Sequence, residues 1–375
     1  MGRSRDEGNS EWYQSHSRRP HTSPNKIDKQ IEKEVVDSRK RLQKRDTPET
    51  KYSFCGAVGV HYDLDKKGLD DKPSLSTINR IIKRNGLVEN RERSENRSGK
   101  KIYYPTTKAL HPNFLHQLDI ITPLYISGYG KVISLNRIDV FTSHAKLGQF
   151  DAKNIDNVLD FIIEDWKTYG IPRYLQVDNE GAFRGGLHHP RSFGKLIRFC
   201  LNLGVQLIFI PYNEPWRNGH IESLNGRFQK YVWARNRFKD LSGLRIESKK
   251  FENNHNEYQT YRIDNFRKTK DRSFTIIYLP KDFFFDAQEK LPITTGLVHF
   301  IRRVDEDGEI TLLNESFKID KKYSFEYVWA VINTREQSLS FFHKEDKNSA
   351  KELIEKRTYE IREPIKNRIS VNKFV

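Results

Sequence analysis

The stretch NFLHQLDIITPLY (113–125) decides the fold. It is an apolar, β-branched run that reads as a strand, yet it carries one carboxylate, Asp119, between Leu118 and Ile120. KVISLNRIDVFTSHAKLGQFDA (131–152) continues the same texture as one or two further strands. NIDNVLDFIIEDWKTYG (154–170) sets Val158, Phe161, Ile162 and Trp166 at helical spacing and stops at Gly170. PRYLQVD (172–178) is a short strand, PRSFGKLIRFCLNLG (190–204) a helix stopped by Gly204, and VQLIFIP (205–211) another strand. After a loop with Asn213, Pro215 and Gly219, HIESLNGRFQKYVWARNRF (220–238) reads as one long helix. Three strands followed by helix, strand, helix, strand, helix predict a mixed sheet flanked by helices.

Upstream the texture is different. Residues 1–24 are polar and aperiodic and read as a disordered basic arm. IDKQIEKEVVDSRKRLQKR (27–45) is a charged helix with Ile27, Ile31, Val35 or Val36 and Leu42 on one face, and FCGAVGVHYDL (54–64) allows a second, short one. In DKPSLSTINRIIKRNGLV (71–88), Pro73 with Ser74 or Ser76 starts a helix and Asn85-Gly86 stops it. Its apolar stripe is Leu75, Ile78, Ile81 and Ile82. Ser76, Thr77, Asn79, Arg80, Lys83 and Arg84 fall on the other faces, a pattern suited to the second helix of a helix-turn-helix lying in a major groove. An ordinary solvated amphipathic helix has the same pattern. The basic stretch ENRERSENRSGKKIYYP (89–105) would follow as a wing or linker. Downstream of 280, GLVHFIRRVDEDGEITLLNESFKID (296–320), YSFEYVWAVIN (323–333) and SLSFFHK (338–344) alternate as short strands and predict a small β-barrel or sandwich.

The expected organisation is therefore multidomain: a basic arm (1–24), a helical helix-turn-helix region (25–105), an α/β core (106–265), a small β-barrel (266–350) and a charged tail (351–375). Charge narrows the partners. The chain of 375 residues carries 66 Lys+Arg against 50 Asp+Glu, a net charge of +16. Residues 1–110 hold 25 basic and 16 acidic residues, so +9 of that excess sits in under a third of the chain. A positive potential of this kind attracts polyanions, nucleic acid foremost. No apolar run approaches the length of a membrane span and the N-terminus has no secretory h-region. The two cysteines, Cys55 and Cys200, cannot build a disulfide framework or a CxxC metal site. A cytoplasmic chain acting without a membrane is expected.

Three acids stand where α/β active sites form. Asp119 lies inside the first strand, Asp178 ends the strand YLQV before the turn Asn179-Glu180-Gly181, and Glu222 falls in the first turn of a helix. Each has a structural alternative: pairing with an arginine, closing a turn, or complementing a helix dipole. Together they form an all-oxygen donor set of the kind Mg²⁺ and Mn²⁺ prefer.

HQLDI (116–120), LQVDNEGAFRG (175–185) and PYNEPWRNGHIESLNGRFQK (211–230) resemble the catalytic core of the retroviral-integrase superfamily, whose fold is ribonuclease H-like. More narrowly, they resemble bacterial insertion-sequence transposases in which a helix-turn-helix, here SLSTINRIIKRNGL (74–87), precedes such a core. The similarity spans roughly residues 70–265 and is weaker beyond. It implies Asp119, Asp178 and Glu222 as an Asp-Asp-Glu metal-binding triad for two Mg²⁺ or Mn²⁺ ions, with Asn179, Asn218 and Gly219 as supporting residues. Phe183, Pro211 and Pro215 match the same signature. It also implies metal-dependent 3′-end cleavage and strand transfer on double-stranded DNA, at an element's terminal inverted repeats and in target DNA, by a homo-oligomer. Neither ATP nor a covalent protein–DNA bond is called for, and no nucleotide-binding loop is present in the sequence.

DNA contacts are expected from Ser76, Thr77, Arg80, Lys83 and Arg84, and from Arg217 and Lys230 in the core. Tyr212 and Trp216 are expected to pack, with stacking on an unpaired base as the alternative. His220 is expected at the surface, and His188 and His189 receive no role. Departures from the family pattern are Glu180, which stands before Gly181 where Gly usually follows Asp-Asn directly, and the 43 residues between Asp178 and Glu222. The retroviral lysines after the Glu and the zinc-binding His/Cys module have no counterpart. Two other functions share these features: a DNA-binding regulator or domesticated integrase without catalysis, and a ribonuclease H-fold nuclease.

Overall fold

The computed structural model describes residues 27–88, 102–185, 190–267, 274–285 and 290–367, apart from the side chains of Thr122 and Pro123. The basic arm 1–24, most of the stretch 89–105, His188, His189 and the last residues of the tail lie outside them. The described residues fall into two compact units, one made of 27–43 and 55–88, the other of 44–54 and everything from 102 onward.

The first unit is helical. Lys29–Lys44 (α1), Ala57–Lys66 (α2) and Leu75–Arg84 (α3) bury Val35, Leu42, Val60, Leu64, Ile78, Ile81 and Ile82 in one cluster. The Ser74 hydroxyl accepts from the Thr77 amide to cap α3, and Gly86 leaves the helix with φ +67. At the centre, the Asp63 carboxylate takes hydrogen bonds from Ser38 and Arg41, so α2 is fastened to α1 by charge as well as by apolar packing.

The second unit is built on a single sheet. Leu115–Ile126 (β1), Gly130–Asp139 (β2) and Ala145–Phe150 (β3) form an antiparallel meander. Ile155–Thr168 (α4) then crosses to Tyr174–Val177 (β4), which pairs parallel with β1. The short Gly181–Arg184 (α5) and Lys195–Leu203 (α6) lead to Gln206–Phe209 (β5), parallel to β4. Gly185 and Gly194 pass so closely that a Cβ on either would collide with the other's backbone. A 3₁₀ turn (Pro215–Asn218) runs into Gly219–Phe228 (α7), a π turn (Gln229–Trp233), and Leu241–Phe266 (α8). The helix expected over 220–238 is therefore broken near Gln229, and α8 follows as a separate element. The inward face of α8 is largely polar (Ser248, Glu252, His255, Gln259), which is why hydrophobic spacing gives it no signal.

The separate C-terminal β-barrel is corrected by the sheet. After Ile293–Thr294 (β6), Leu297–Arg303 (β7) pairs parallel with β5. Glu309–Leu312 (β8) and Glu315–Lys318 (β9) form a hairpin beside it. Tyr327–Asn333 (β10), Ser338–His343 (β11) and Glu352–Thr358 (β12) extend the same sheet, while Ile365–Lys366 (β13) pairs with β6. The nine-stranded order is β12-β11-β10-β7-β5-β4-β1-β2-β3. One apolar cluster runs from Val158, Phe161 and Phe199 through Leu207 and Phe209 to Val298, Phe300, Ile332, Leu339 and Phe341. Alternation reveals that a segment is a strand but not which strand it joins, and the open edge of β5 needs a partner. No helix among the described residues is long and apolar enough to cross a membrane.

Candidate active site

The sheet positions two of the three acids by register. In the parallel pair, Gln117 of β1 stands opposite Gln176 of β4. Side chains repeat every second residue along a strand. Asp119 therefore shares the face of Gln117, and Asp178, one residue past the end of β4, continues that of Gln176 on the neighbouring strand roughly 4.8 Å away. The two glutamines grip what lies above them. Gln117 Oε1 accepts from the Ile221 amide at 3.1 Å, and Gln176 Nε2 donates to Asn218 Oδ1 at 2.7 Å and to the Arg217 carbonyl at 3.2 Å. Ile221 is fully buried, and Glu222 follows it, exposed, in the first turn of α7.

Asp119 is held from one side by a line of amides. Its Oδ2 accepts from Asn225 Nδ2 at 2.7 Å, and Asn225 Oδ1 accepts from Asn136 Nδ2 at 2.8 Å. Asn136 Oδ1 accepts from the Ser134 hydroxyl at 2.8 Å, whose oxygen accepts from Gln149 at 3.2 Å. All four supporting side chains are buried. Asn225 lies one helical turn beyond Glu222, so α7 brings an acid and the support of another acid to the same place.

The electrostatics tie the acids together. Burial raises the Asp119 carboxyl, and Glu222 and Glu180 raise it further against hydrogen bonds from the Ile120 amide and Asn225. Burial likewise lifts Asp178 to about 6, with Asp119 and Glu180 adding repulsion, opposed by the Glu180 amide and by Lys153. Glu180 is thus a fourth carboxylate at this end of the sheet; its amide donates to Asp178 Oδ1 at 3.0 Å and its carboxylate pairs with Lys153 at 2.8 Å. Among the described residues no three His, Cys, Asp or Glu side chains are drawn together into a metal cage. The donor chemistry nonetheless fits a hard divalent cation: neighbouring carboxylates add to the raised pKa of Asp119 and Asp178, and a cation among them would relieve that repulsion.

The other expected residues divide. Asn179 is anchored beside Asp178, its side-chain amide donating to the Ile210 carbonyl at 2.7 Å. Asn218 is buried under Gln176, whereas Gly219 has ordinary helical φ and open space where a Cβ would go. Arg217 is spent on its own loop. Its guanidinium bonds Glu214 at 2.8 Å and the Tyr327 hydroxyl at 2.7 Å and lies 4.0 Å over the Tyr104 ring, so a phosphate would have to displace these partners. Lys230 is exposed on the π turn. Trp216 is 62% exposed, contrary to the packing expected of it, whereas the Tyr212 ring lies 4.5 Å from the Arg302 guanidinium and its hydroxyl accepts from Arg184 at 2.9 Å. His220 is at the surface, as read. In the helical unit, Ser76, Arg80, Lys83 and Arg84 are exposed and Thr77 half-buried, but Arg84 Nε donates to Glu32 of α1 at 2.6 Å. Sequence reading missed Gln117, Gln176, Asn136, Asn225 and Glu180. The repeat of Gln-x-Asp on two strands was the available signal for the first two.

No protein-family model matches the chain, and no curated protein matches it. Among solved structures it is similar to the HTLV-2 integrase catalytic core domain in complex with magnesium, in trimeric form (TM-score 0.29, 16% identity, 42% of this chain and 90% of that one). The dimeric form of that domain gives TM-score 0.29 and 16% identity over 42% and 91%. The simian T-cell lymphotropic virus intasome in complex with PP2A regulatory subunit B56 gamma gives 0.32 and 12% over 78% and 91%. These structural neighbours are retroviral integrases.

Proposed function

We propose that this chain is a metal-dependent DNA transposase of the integrase type, a polynucleotidyl transferase that cleaves 3′ ends of a mobile element and joins them to target DNA. The observation that carries the reading is the pairing of Gln117-x-Asp119 with Gln176-x-Asp178 on adjacent parallel strands, with the helix of Glu222 hydrogen-bonded over both. Asp119, Asp178 and Glu222 are the residues that would hold Mg²⁺ or Mn²⁺. When bound, a pair of such ions activates the attacking oxygen and stabilises the leaving one. In each step a water or a DNA 3′-hydroxyl attacks phosphorus, the 3′-oxygen of the broken phosphodiester departs, and one proton passes from the attacking to the leaving oxygen through solvent. The chain's own contribution is placement. The Asn225–Asn136–Ser134–Gln149 line fixes Asp119, the turn amide of Glu180 fixes Asp178, and the glutamine latches fix the start of α7.

The helical unit supplies DNA affinity in this reading, through Arg80 and Lys83 first and Arg84 after release from Glu32. The chain acts as a homo-oligomer on paired element ends. The test is an assay on labelled duplexes carrying the ends that flank the gene, incubated with plasmid target and Mg²⁺ or Mn²⁺. Cleaved ends and joined products are expected from the parent, and neither in chelator. Cleavage without joining would favour the plain nuclease. Binding of ends with no cleavage under either metal would favour the non-catalytic DNA binder.

A further inference from the structure

Arg302 lies on β7, far in sequence from every acid of the site, and is 2% exposed. Its guanidinium donates from Nε to the Thr311 carbonyl at 3.0 Å. Nη1 reaches the carbonyls of Ile210 at 2.8 Å, Ile301 at 2.9 Å and Phe209 at 3.4 Å, and Nη2 donates to Asn179 Oδ1 at 2.7 Å. Every one of these acceptors is a neutral oxygen. A buried guanidinium ordinarily keeps a carboxylate partner, because desolvating a lone cation is expensive. Here burial pushes its pKa down to about 10. A neutral side chain would fill the space at lower cost, so the charge and the planar fork are the features to explain.

The acceptors explain them. Asn179 directly follows Asp178, and Phe209 ends β5 with Ile210 following it, at the start of the loop that runs to Glu222. Asn179 also donates to the Ile210 carbonyl at 2.7 Å, so the guanidinium, the Asn179 side chain and that carbonyl close a ring. The ring joins the exits of β4 and β5, the two points from which the turn of Asp178 and the loop of Glu222 spring.

We infer that Arg302 is a positioning residue for the Asp119–Asp178–Glu222 site: its fork locks the Asn179 turn to the Ile210 carbonyl and thereby makes the C-terminal strands part of the active unit. Lysine cannot replace it, since a single ammonium cannot serve acceptors spread around a plane. The inference deepens the transposase reading and rests on it for its catalytic consequence, while the contact itself can be read without catalysis.

The experiment uses the full chain with Arg302→Lys, Arg302→Ala and Asn179→Ala, the last removing the contact from the half-buried side without touching β7. Hydrogen exchange of peptides covering 175–185 should quicken at least tenfold in Arg302→Lys and Asn179→Ala, with peptides of α4 unchanged. Mn²⁺ titrated without DNA, followed by electron paramagnetic resonance, should show half-saturation raised about tenfold in both. Turnover at saturating DNA should fall at least tenfold with DNA affinity within twofold of the parent. The double variant, Arg302→Lys with Asn179→Ala, should be no worse than either single one. Arg302 borders a cavity of about 520 Å³ lined by Tyr212, Trp216, Arg217 and Tyr327. Millimolar guanidinium should therefore partly restore Arg302→Ala, and urea should not. Unchanged exchange at 175–185 in a folded Arg302→Lys overturns the inference, as does a loss of activity that follows the melting temperature alone and is not restored by guanidinium. A parent that neither binds Mn²⁺ nor joins DNA refutes the transposase reading instead, and the exchange result then still decides whether Arg302 locks the turn.

Discussion

Asp178→Asn should stabilise the protein at neutral pH while removing its activity. The carboxyl is lifted from 3.8 to about 6, first by burial and then by Asp119 and Glu180. Between pH of about 4 and 6 the native chain therefore holds more protons than the unfolded chain, and stability falls as pH rises through that window. At about 1.4 kcal/mol per pKa unit the full difference is about 3 kcal/mol. Asp178 is half-buried, so solvent screening brings the expected gain on neutralisation to about 2 kcal/mol. For a unit of this size that corresponds to a rise of about 4 °C in melting temperature. The assay is thermal unfolding of parent and variant from pH 4 to 8, in chelator and in Mg²⁺. In chelator the variant should gain above pH 6 and match the parent at pH 4. Mg²⁺ should raise the parent above pH 6, because a cation offsets the same repulsion, and should leave the variant nearly unmoved. A variant less stable than the parent at pH 8, or a parent indifferent to both pH and Mg²⁺, would refute the idea that these acids are held together against their repulsion.

Asp119→Asn and Glu222→Gln should each lower end joining by at least a thousandfold in the labelled-duplex assay, with filter-binding affinity for the ends within about threefold of the parent, because the amides keep shape and lose charge. Arg80→Ala and Lys83→Ala should each weaken binding and reduce the slope of log K against log salt by about 0.9, the value for one phosphate contact, whereas Arg84→Ala should do less because Glu32 holds it; three equal slopes would contradict that ranking. Truncation after residue 267 should yield insoluble or protease-sensitive protein, since it strips β7 from β5 and opens the common apolar cluster; a soluble, cooperatively melting 1–267 chain would show that the C-terminal strands are dispensable.

How much of this was legible in the sequence depended on the range of the interactions. Helix α3 could be read because its cap, stripe and stop lie within a dozen residues. The strand and helix order of the core could be read for the same reason, and the acids Asp119 and Asp178 stood out because a carboxylate at the end or in the middle of an apolar run demands a partner. What could not be read were contacts set by the sheet itself. Nothing local in LVHFIRR (297–303) says that β7 lies beside β5, so its strands suggested a separate barrel. Arg302 likewise looks like one half of an ordinary Arg-Arg pair, and only the pairing shows that one of the two is buried and the other exposed. Arg217 failed in the opposite direction: a basic residue in a loop beside the acids looks like a phosphate contact until Glu214, Tyr327 and Tyr104 are seen to hold it. The site therefore has two layers of different legibility. The acids that meet solvent are marked by their chemistry, whereas the polar side chains that aim them, Gln117, Gln176, Asn225 and Arg302, acquire meaning only from their neighbours across the sheet. Their burial with nearly complete hydrogen bonding makes them costly to alter, so substitutions at these positions should disturb the chemistry of the acids before they disturb the fold.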